Sequence, residues 1–130
     1  MVRGVAGIVN YEGKILVGKK KSDSPNFLAG KWNIPGETIE GDESEGVALI
    51  RGMKEEANLE LIVGSYIGTS TSQTSKMRVN WYQCYSRTDK ISYSSDLEDA
   101  KWIDKKEILN FISKEVVDLW PKEIIDYFKV

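Results

Sequence analysis

The spacing of apolar positions changes character several times along the chain. Residues 3–9 and 14–19 are apolar, β-prone runs separated by Tyr11-Glu12-Gly13. Two such runs around a short glycine turn predict a β-hairpin. Residues 22–31 carry Ser, Asp, Pro, Asn and Gly and predict a long loop. Trp32-Asn33-Ile34 predicts a short strand stopped by Pro35-Gly36. From 44 to 57 the period lengthens. Val47, Ile50, Met53 and Ala57 recur at spacings of three and four and predict one apolar helix stripe. Ser44 suits the N-cap, Glu45 the first turn, and Asn58 the left-handed position that ends the helix. Residues 59–70 and 76–86 predict two further strands, and 100–103 a short one. Lys105 to Phe111 and Pro121 to Phe128 predict closing helices, the second with proline in its first turn. Strands before and after a central helix imply a mixed α/β or α+β layered domain.

A length of 130 residues fits one domain over 1–130. No apolar run reaches the ~18 residues that span a bilayer, and the N-terminus lacks the apolar core of a signal peptide. A cytoplasmic protein with no membrane partner is the expectation. The net charge of −2 gives no general pull toward a nucleic acid polymer. A homodimer is neither demanded nor excluded. The single Cys84 rules out an intrachain disulfide, and its apolar surroundings Trp81 to Tyr85 predict a buried, inert thiol.

The absence of histidine changes the picture more. It removes His-assisted nucleophiles, His general bases and His-ligated zinc together. Hydrolytic chemistry must then rest on carboxylates, lysines, tyrosines or a hard metal ion.

The helix offers such a group. At about 100° per residue with Arg51 at zero, Glu55 falls near 40°, residue 52 near 100° and Glu56 near 140°. The stripe of 47, 50, 53 and 57 falls at roughly 200° to 320°. The expected arrangement is one face that packs and an opposite face carrying Arg51, Glu55 and Glu56. Adjacent carboxylates repel unless a cation lies between them, and Mg²⁺ or Mn²⁺ suits oxygen ligands in a histidine-free chain. A solvated pair of glutamates with an Arg51–Glu55 ion pair is the plain alternative, and the helix alone does not decide.

The segment leading into it does. Glu43, Arg51, Met53, Glu55, Glu56 and Leu59 stand at the spacings of the signature G-x5-E-x7-R-E-U-x-E-E-x-G-U, where U is bulky and apolar, and Trp32, Pro35 and Gly36 match the tryptophan and Pro-Gly-Gly turn that usually precede it. Residues 32–59 thus resemble the Nudix hydrolase family, MutT-like, with the signature box at about 36–59. The flanking elements extend the resemblance over nearly the whole chain. It implies an α+β fold of the α/β/α sandwich type, with a mixed sheet, a central loop–helix–loop and flanking helices. It implies a pyrophosphohydrolase of a nucleoside diphosphate linked to another group, with water attacking phosphorus and Mg²⁺ (or Mn²⁺) as cofactor. Glu55, Glu56 and the Gly36 carbonyl would be metal ligands. Arg51 would orient the carboxylates and Glu43 would support it. Glu98 would complete the site, with Asp96 and Asp99 as rivals.

Four positions depart from the residues usual in the family: Glu37, Asp42 and Asn58 each replace a glycine, and Gly52 replaces a glutamate. Asn58 tolerates the left-handed conformation. Glu37 implies either a changed backbone or an extra carboxylate near the metal. Gly52 removes a side chain that the family uses as metal ligand and general base. Either the base lies elsewhere, at Glu37 or Glu98, or the chain is a weak or inactive nucleotide-binding domain. On the substrate side, Lys20 and Lys21 of the run Lys19-Lys20-Lys21 are candidates for phosphate, with a solvated charge run as the alternative. Phe27 and Trp32 could flank a base. Trp81, Tyr82 and Trp120 read as core or rim, and Asp118 and Trp120 precede the last helix, a region that faces the base in some members. The small-molecule substrate would be a nucleoside triphosphate or similar nucleotide.

Overall fold

The computed structural model describes residues 2–24, 28–72, 76–93 and 96–130. The strands are β1 (Val2–Tyr11), β2 (Lys14–Lys20), β3 (Trp32–Asn33), β4 (Gly36–Thr38), β5 (Leu61–Ser72), β6 (Met77–Ser86) and β7 (Leu97–Asp104). The helices are α1 (Glu45–Ala57), α2 (Ile108–Phe111), α3 (Lys114–Val117) and α4 (Lys122–Lys129), with a 3₁₀ turn at Lys105–Glu107 before α2. The hairpin forms around Glu12 and Gly13, both at positive φ.

The sheet is mixed. β1 runs parallel to β6 from Val2↔Met77 to Asn10↔Tyr85. The other strand pairs are antiparallel, including β5 with β6 and β2 with β7. β1 and β2 pair only beside their turn, at Asn10↔Ile15 and Tyr11↔Lys14. Beyond that, β1 pairs with β4 at Gly4–Ala6, and β2 pairs with β3 at Gly18 and Lys19. The two short strands are therefore wedged between the long ones, and the Gly7 N–H donates to the Pro35 carbonyl that joins them (3.1 Å).

Alternation along each strand builds two cores. Val5, Val9, Leu16 and Cys84 face α1, against Ala48, Leu49, Met53 and Ala57. Ile8, Ile15, Val17 and Trp81 face the other way, against Ile108, Val116, Trp120, Ile124 and Phe128. Helices on both faces of a mixed sheet make this an α+β fold with α/β/α layering. Cys84 is fully buried, and burial pushes its thiol up to about 11.

Ser44 caps α1 through its hydroxyl, which accepts from the Val47 N–H, and Asn58 closes it at φ 55°. The apolar stripe expected on α1 is only half correct. Val47 is 53% exposed and Ile50 47% exposed, while Ala48, Leu49, Gly52, Met53, Glu56 and Ala57 are buried. The packed face thus centres near 150° on the wheel with Arg51 at zero. Glu56 and Gly52 belong to the inner face, not opposite it. Ala48 and Gly52 put small residues on this inner side, and the Glu37 side chain fills the space beside Gly52. Further differences are small. β4 forms where only a strand stop was expected, because Gly36 to Thr38 finds the free edge of β1. β7 begins at Leu97 rather than 100, since β2 extends far enough to pair with it. Pro121 is the N-cap of α4 rather than a residue inside its first turn. Among the described residues no helix is long and apolar enough to cross a membrane.

Candidate active site

Arg51 gathers the loop that precedes its own helix. Its Nη2 and Nε donate to the two oxygens of Glu43 at 2.6 and 3.1 Å, and Nη2 also donates to the Thr38 carbonyl at 3.1 Å. Its Nη1 lies 3.4 Å from Glu55, 3.5 Å from Glu37 and 3.8 Å from Glu40. A planar guanidinium suits this multi-sided task, because its donors are fixed in direction. The hydrogen bond from Arg51 holds Glu43 below the usual carboxylate range. Arg51 and Glu43 come together as the sequence implies, clamping β4 to α1.

Glu55 sits on the rim with its side chain 59% exposed. Glu56, the next residue, is turned inward and is only 8% exposed. It lines a cleft of about 240 Å³ in the wedge between β1 and β2, together with Ala6, Gly18, Lys20, Gly36 and Leu97. Among the described residues no side chain or backbone donor is hydrogen-bonded to its carboxylate, yet none of their buried polar side-chain atoms is both sealed from solvent and unpaired. The Glu56 oxygens therefore open on the cleft. Burial pushes Glu56 up to about 7; Glu37, Asp96 and Glu55 add to the shift, and Lys20 opposes it.

The donor set fits a hard divalent cation. Glu56 and Lys20 line the cleft, the charges of Glu37, Glu55 and Asp96 act on Glu56, and Glu37, Glu40, Glu43 and Glu55 gather around Arg51. Oxygen donors in negative excess are what such an ion requires. Among the described residues, no three acidic, histidine or cysteine side chains converge as a ready-made cage. A cation here would keep part of its hydration and share its remaining positions with phosphate oxygens, the usual arrangement for Mg²⁺.

The other site candidates scatter. Glu98 has a network of its own: it pairs with Lys19 at 3.2 Å and accepts from the Ser22 N–H and hydroxyl at 3.0 Å. These partners hold it below the usual carboxylate range. Asp99 accepts from its neighbouring Ala100 N–H. Of the three rivals, Asp96 is the one whose charge reaches Glu56. Lys20 faces the cleft, whereas Lys21 is exposed and its N–H donates to the Asp96 carbonyl. Phe27 lies outside the described residues. Trp32 packs edge-on to Phe111 at 5.3 Å, with the Lys101 ammonium 5.2 Å from its ring, so its face is already used.

A second hollow of about 400 Å³ adjoins the cleft, sharing Leu28, Asn33, Met77 and Trp81. Its far wall is Asp118, Leu119 and Trp120. Asn33 stands where the two compartments meet and its side-chain oxygen accepts from the Trp120 indole at 3.1 Å. Sequence reasoning missed Asn33, which carries no pattern of its own. It also missed that Glu37 and position 52 meet, although both break the same signature.

Comparison with known proteins adds the following. A model of the NUDIX domain family matches residues 1–128. The chain is 36% identical to a CTP pyrophosphohydrolase of Escherichia coli (strain K12) over 75 residues, which are 58% of this chain and 54% of that protein. The match thus spans about half the length of that relative. A MutT protein from Methanosarcina mazei Go1 superposes with a TM-score of 0.76 at 21% identity, over 98% of this chain and 90% of the other. The E. coli ORF135 protein superposes with a TM-score of 0.70 at 25% identity, over 92% of this chain and 85% of the other.

Proposed function

Because this chain belongs to the NUDIX domain family, we propose that it is a divalent-cation-dependent pyrophosphohydrolase of nucleoside triphosphates or similar nucleotides. The observation that carries this reading is Glu56: a buried carboxylate without a donor, opening on a cleft that also holds Lys20. An unpaired buried carboxylate is costly unless a cation completes it.

Glu55, Glu56 and the Gly36 carbonyl would hold the cation. When bound, Mg²⁺ or Mn²⁺ supplies charge neutralisation at the phosphate oxygens during attack by water. The chain's own residues do the rest. Arg51 and Glu43 are positioning residues that fix α1 against β4. Lys20 offers an ammonium to phosphate oxygens inside the cleft, where partial exclusion of water strengthens the pairing. The adjoining hollow, walled by Trp81, Asp118 and Trp120, has room for the nucleoside. The relative's name places CTP among the first substrates to try.

One observation favours a second reading, a nucleotide-binding domain of little activity: Gly52 lacks the carboxylate that the signature carries there. A panel of nucleoside triphosphates, ADP-ribose and nucleotide sugars with Mg²⁺ or Mn²⁺ separates the two. Metal-dependent pyrophosphate or monophosphate release supports the hydrolase. Binding without turnover on every member, by folded protein, supports the second.

A further inference from the structure

Gly52 and Glu37 occupy one and the same space. A Cβ built on Gly52 would stand 2.6 Å from both Cγ and Cδ of Glu37, and closer still to Oε2. Side-chain carbons do not approach so closely, so Glu37 as it stands and a side chain at 52 exclude each other, and one must shift for the other to enter. Position 52 lies one helical turn before Glu56 on the same inner face. A side chain at 52 would therefore project beside Glu56, where the Glu37 carboxylate now stands.

We propose that Glu37 delivers from strand β4 the carboxylate that helix α1 does not deliver at position 52, so that Glu37 joins Glu56 in holding the cation. This rests on the hydrolase reading for its purpose but not for its geometry. Three points argue for it. Glu37 has no positive φ, so its backbone does not require glycine and a side chain is free to be there. A glycine in mid-helix costs ~1 kcal/mol relative to alanine, and here it leaves open the space that the Glu37 side chain fills. Finally, Glu56 is buried, unpaired and open to the same cleft, and so calls for a cation in this place.

The plainer view is that Glu37 is one more partner for Arg51. That contact is 3.5 Å and involves Oε1, whereas Glu43 already takes Arg51 through both oxygens, the shorter contact being 2.6 Å. It is Oε2 that lies against Gly52. An ion pair with Arg51 would not by itself exclude a side chain at 52. The two departures from the signature are then one exchange: the carboxylate moved from helix to strand, and each position took the residue that makes room for the other.

The exchange predicts non-additive behaviour. Mn²⁺ binding, measured without nucleotide by the electron paramagnetic resonance of the free ion, is compared for the unaltered protein, Glu37→Gln, Glu37→Gly, Gly52→Glu and the double variant Glu37→Gly/Gly52→Glu. Circular dichroism checks that each is folded. Glu37→Gln, which keeps the shape, should weaken Mn²⁺ by ~10-fold or more. Gly52→Glu alone should gain nothing, because Glu37 fills the place. The double variant should bind Mn²⁺ more tightly than Glu37→Gly, approaching the unaltered protein. Unchanged Mn²⁺ affinity in folded Glu37→Gln overturns the proposal, and so does a double variant no better than Glu37→Gly. Turnover is read in parallel. Its absence from every protein counts against the hydrolase reading alone, since Mn²⁺ affinity still decides the role of Glu37.

Discussion

Helices α1 and α4 lie on opposite faces of the sheet and bury opposite kinds of surface. α4 turns Ile124 and Phe128 inward and leaves Lys122 and Asp126 as an exposed ion pair at 2.9 Å. Its inner face is apolar and its outer face is charged. α1 turns Ala48, Gly52 and Glu56 inward beside Leu49 and Met53, and leaves Val47 and Ile50 in solvent. A helix that only packs sorts its residues by hydrophobicity. A helix that packs and also presents chemistry needs small residues where it crosses the sheet and a carboxylate where the sheet opens.

The contrast can be broken from either side. The largest effect should come from Glu56→Gln, which keeps volume and removes charge. Losing several kcal/mol of cation-based stabilisation would lower turnover by ~10²–10⁴-fold, measured as kcat with the best substrate of the panel, while the fold persists. A counterpart on α4, Phe128→Ala, should cost ~3–5 kcal/mol of stability. A urea midpoint shift shows it, and an unshifted midpoint would mean that α4 is not held by that face.

A third effect is smaller and depends on pH. Glu56 is raised from 4.5 to about 7 in the fold. Its contribution to metal-free stability is therefore complete below about pH 4.5 and is lost as pH rises through about 7, by ~1–3 kcal/mol. Melting temperatures without metal should fall over this window in the natural protein. The fall should be shallower in Glu56→Gln. Added Mg²⁺ should raise the melting temperature more at pH 8 than at pH 6. The smallest effect belongs to the exposed apolar pair: Val47→Ser should change stability by no more than ~0.5 kcal/mol, whereas a loss of 2 kcal/mol would put Val47 in a core.

What was legible in the sequence followed this same division. Strand β1, strand β2 and helix α4 announce themselves because most of their residues alternate or recur with the period of a packed face. The spacing of Glu43, Arg51, Glu55 and Glu56 is legible as a signature, and Arg51 does meet Glu43 and Glu55. The rotation of α1 was not legible. Val47 and Ile50 form the more apolar stripe, and only contact with the sheet shows that Ala48 and Gly52 matter more than the two bulkier residues. Strand β4 escaped notice because its three residues have no apolar period and form a strand only by meeting the edge of β1. Lys19 and Ser22 hold Glu98, and no local pattern marks Asp96 as the one of the three acidic residues there whose charge acts on Glu56.

The wedge between β1 and β2 also bears on how this protein can be cut. Its walls come from Ala6 and Gly18 near one end of the sequence, from Gly36 and Glu56 in the middle, and from Leu97 of β7. β1 finds its parallel partner about seventy-five residues downstream, and β2 finds β7 about eighty-five residues downstream. Closing such long loops is entropically slow but adds little cost for each further residue. The cleft is consequently a property of the assembled chain and of no shorter segment. A fragment ending before β7 would keep the whole signature from Glu37 to Leu59 and still lack one wall of the cleft around it.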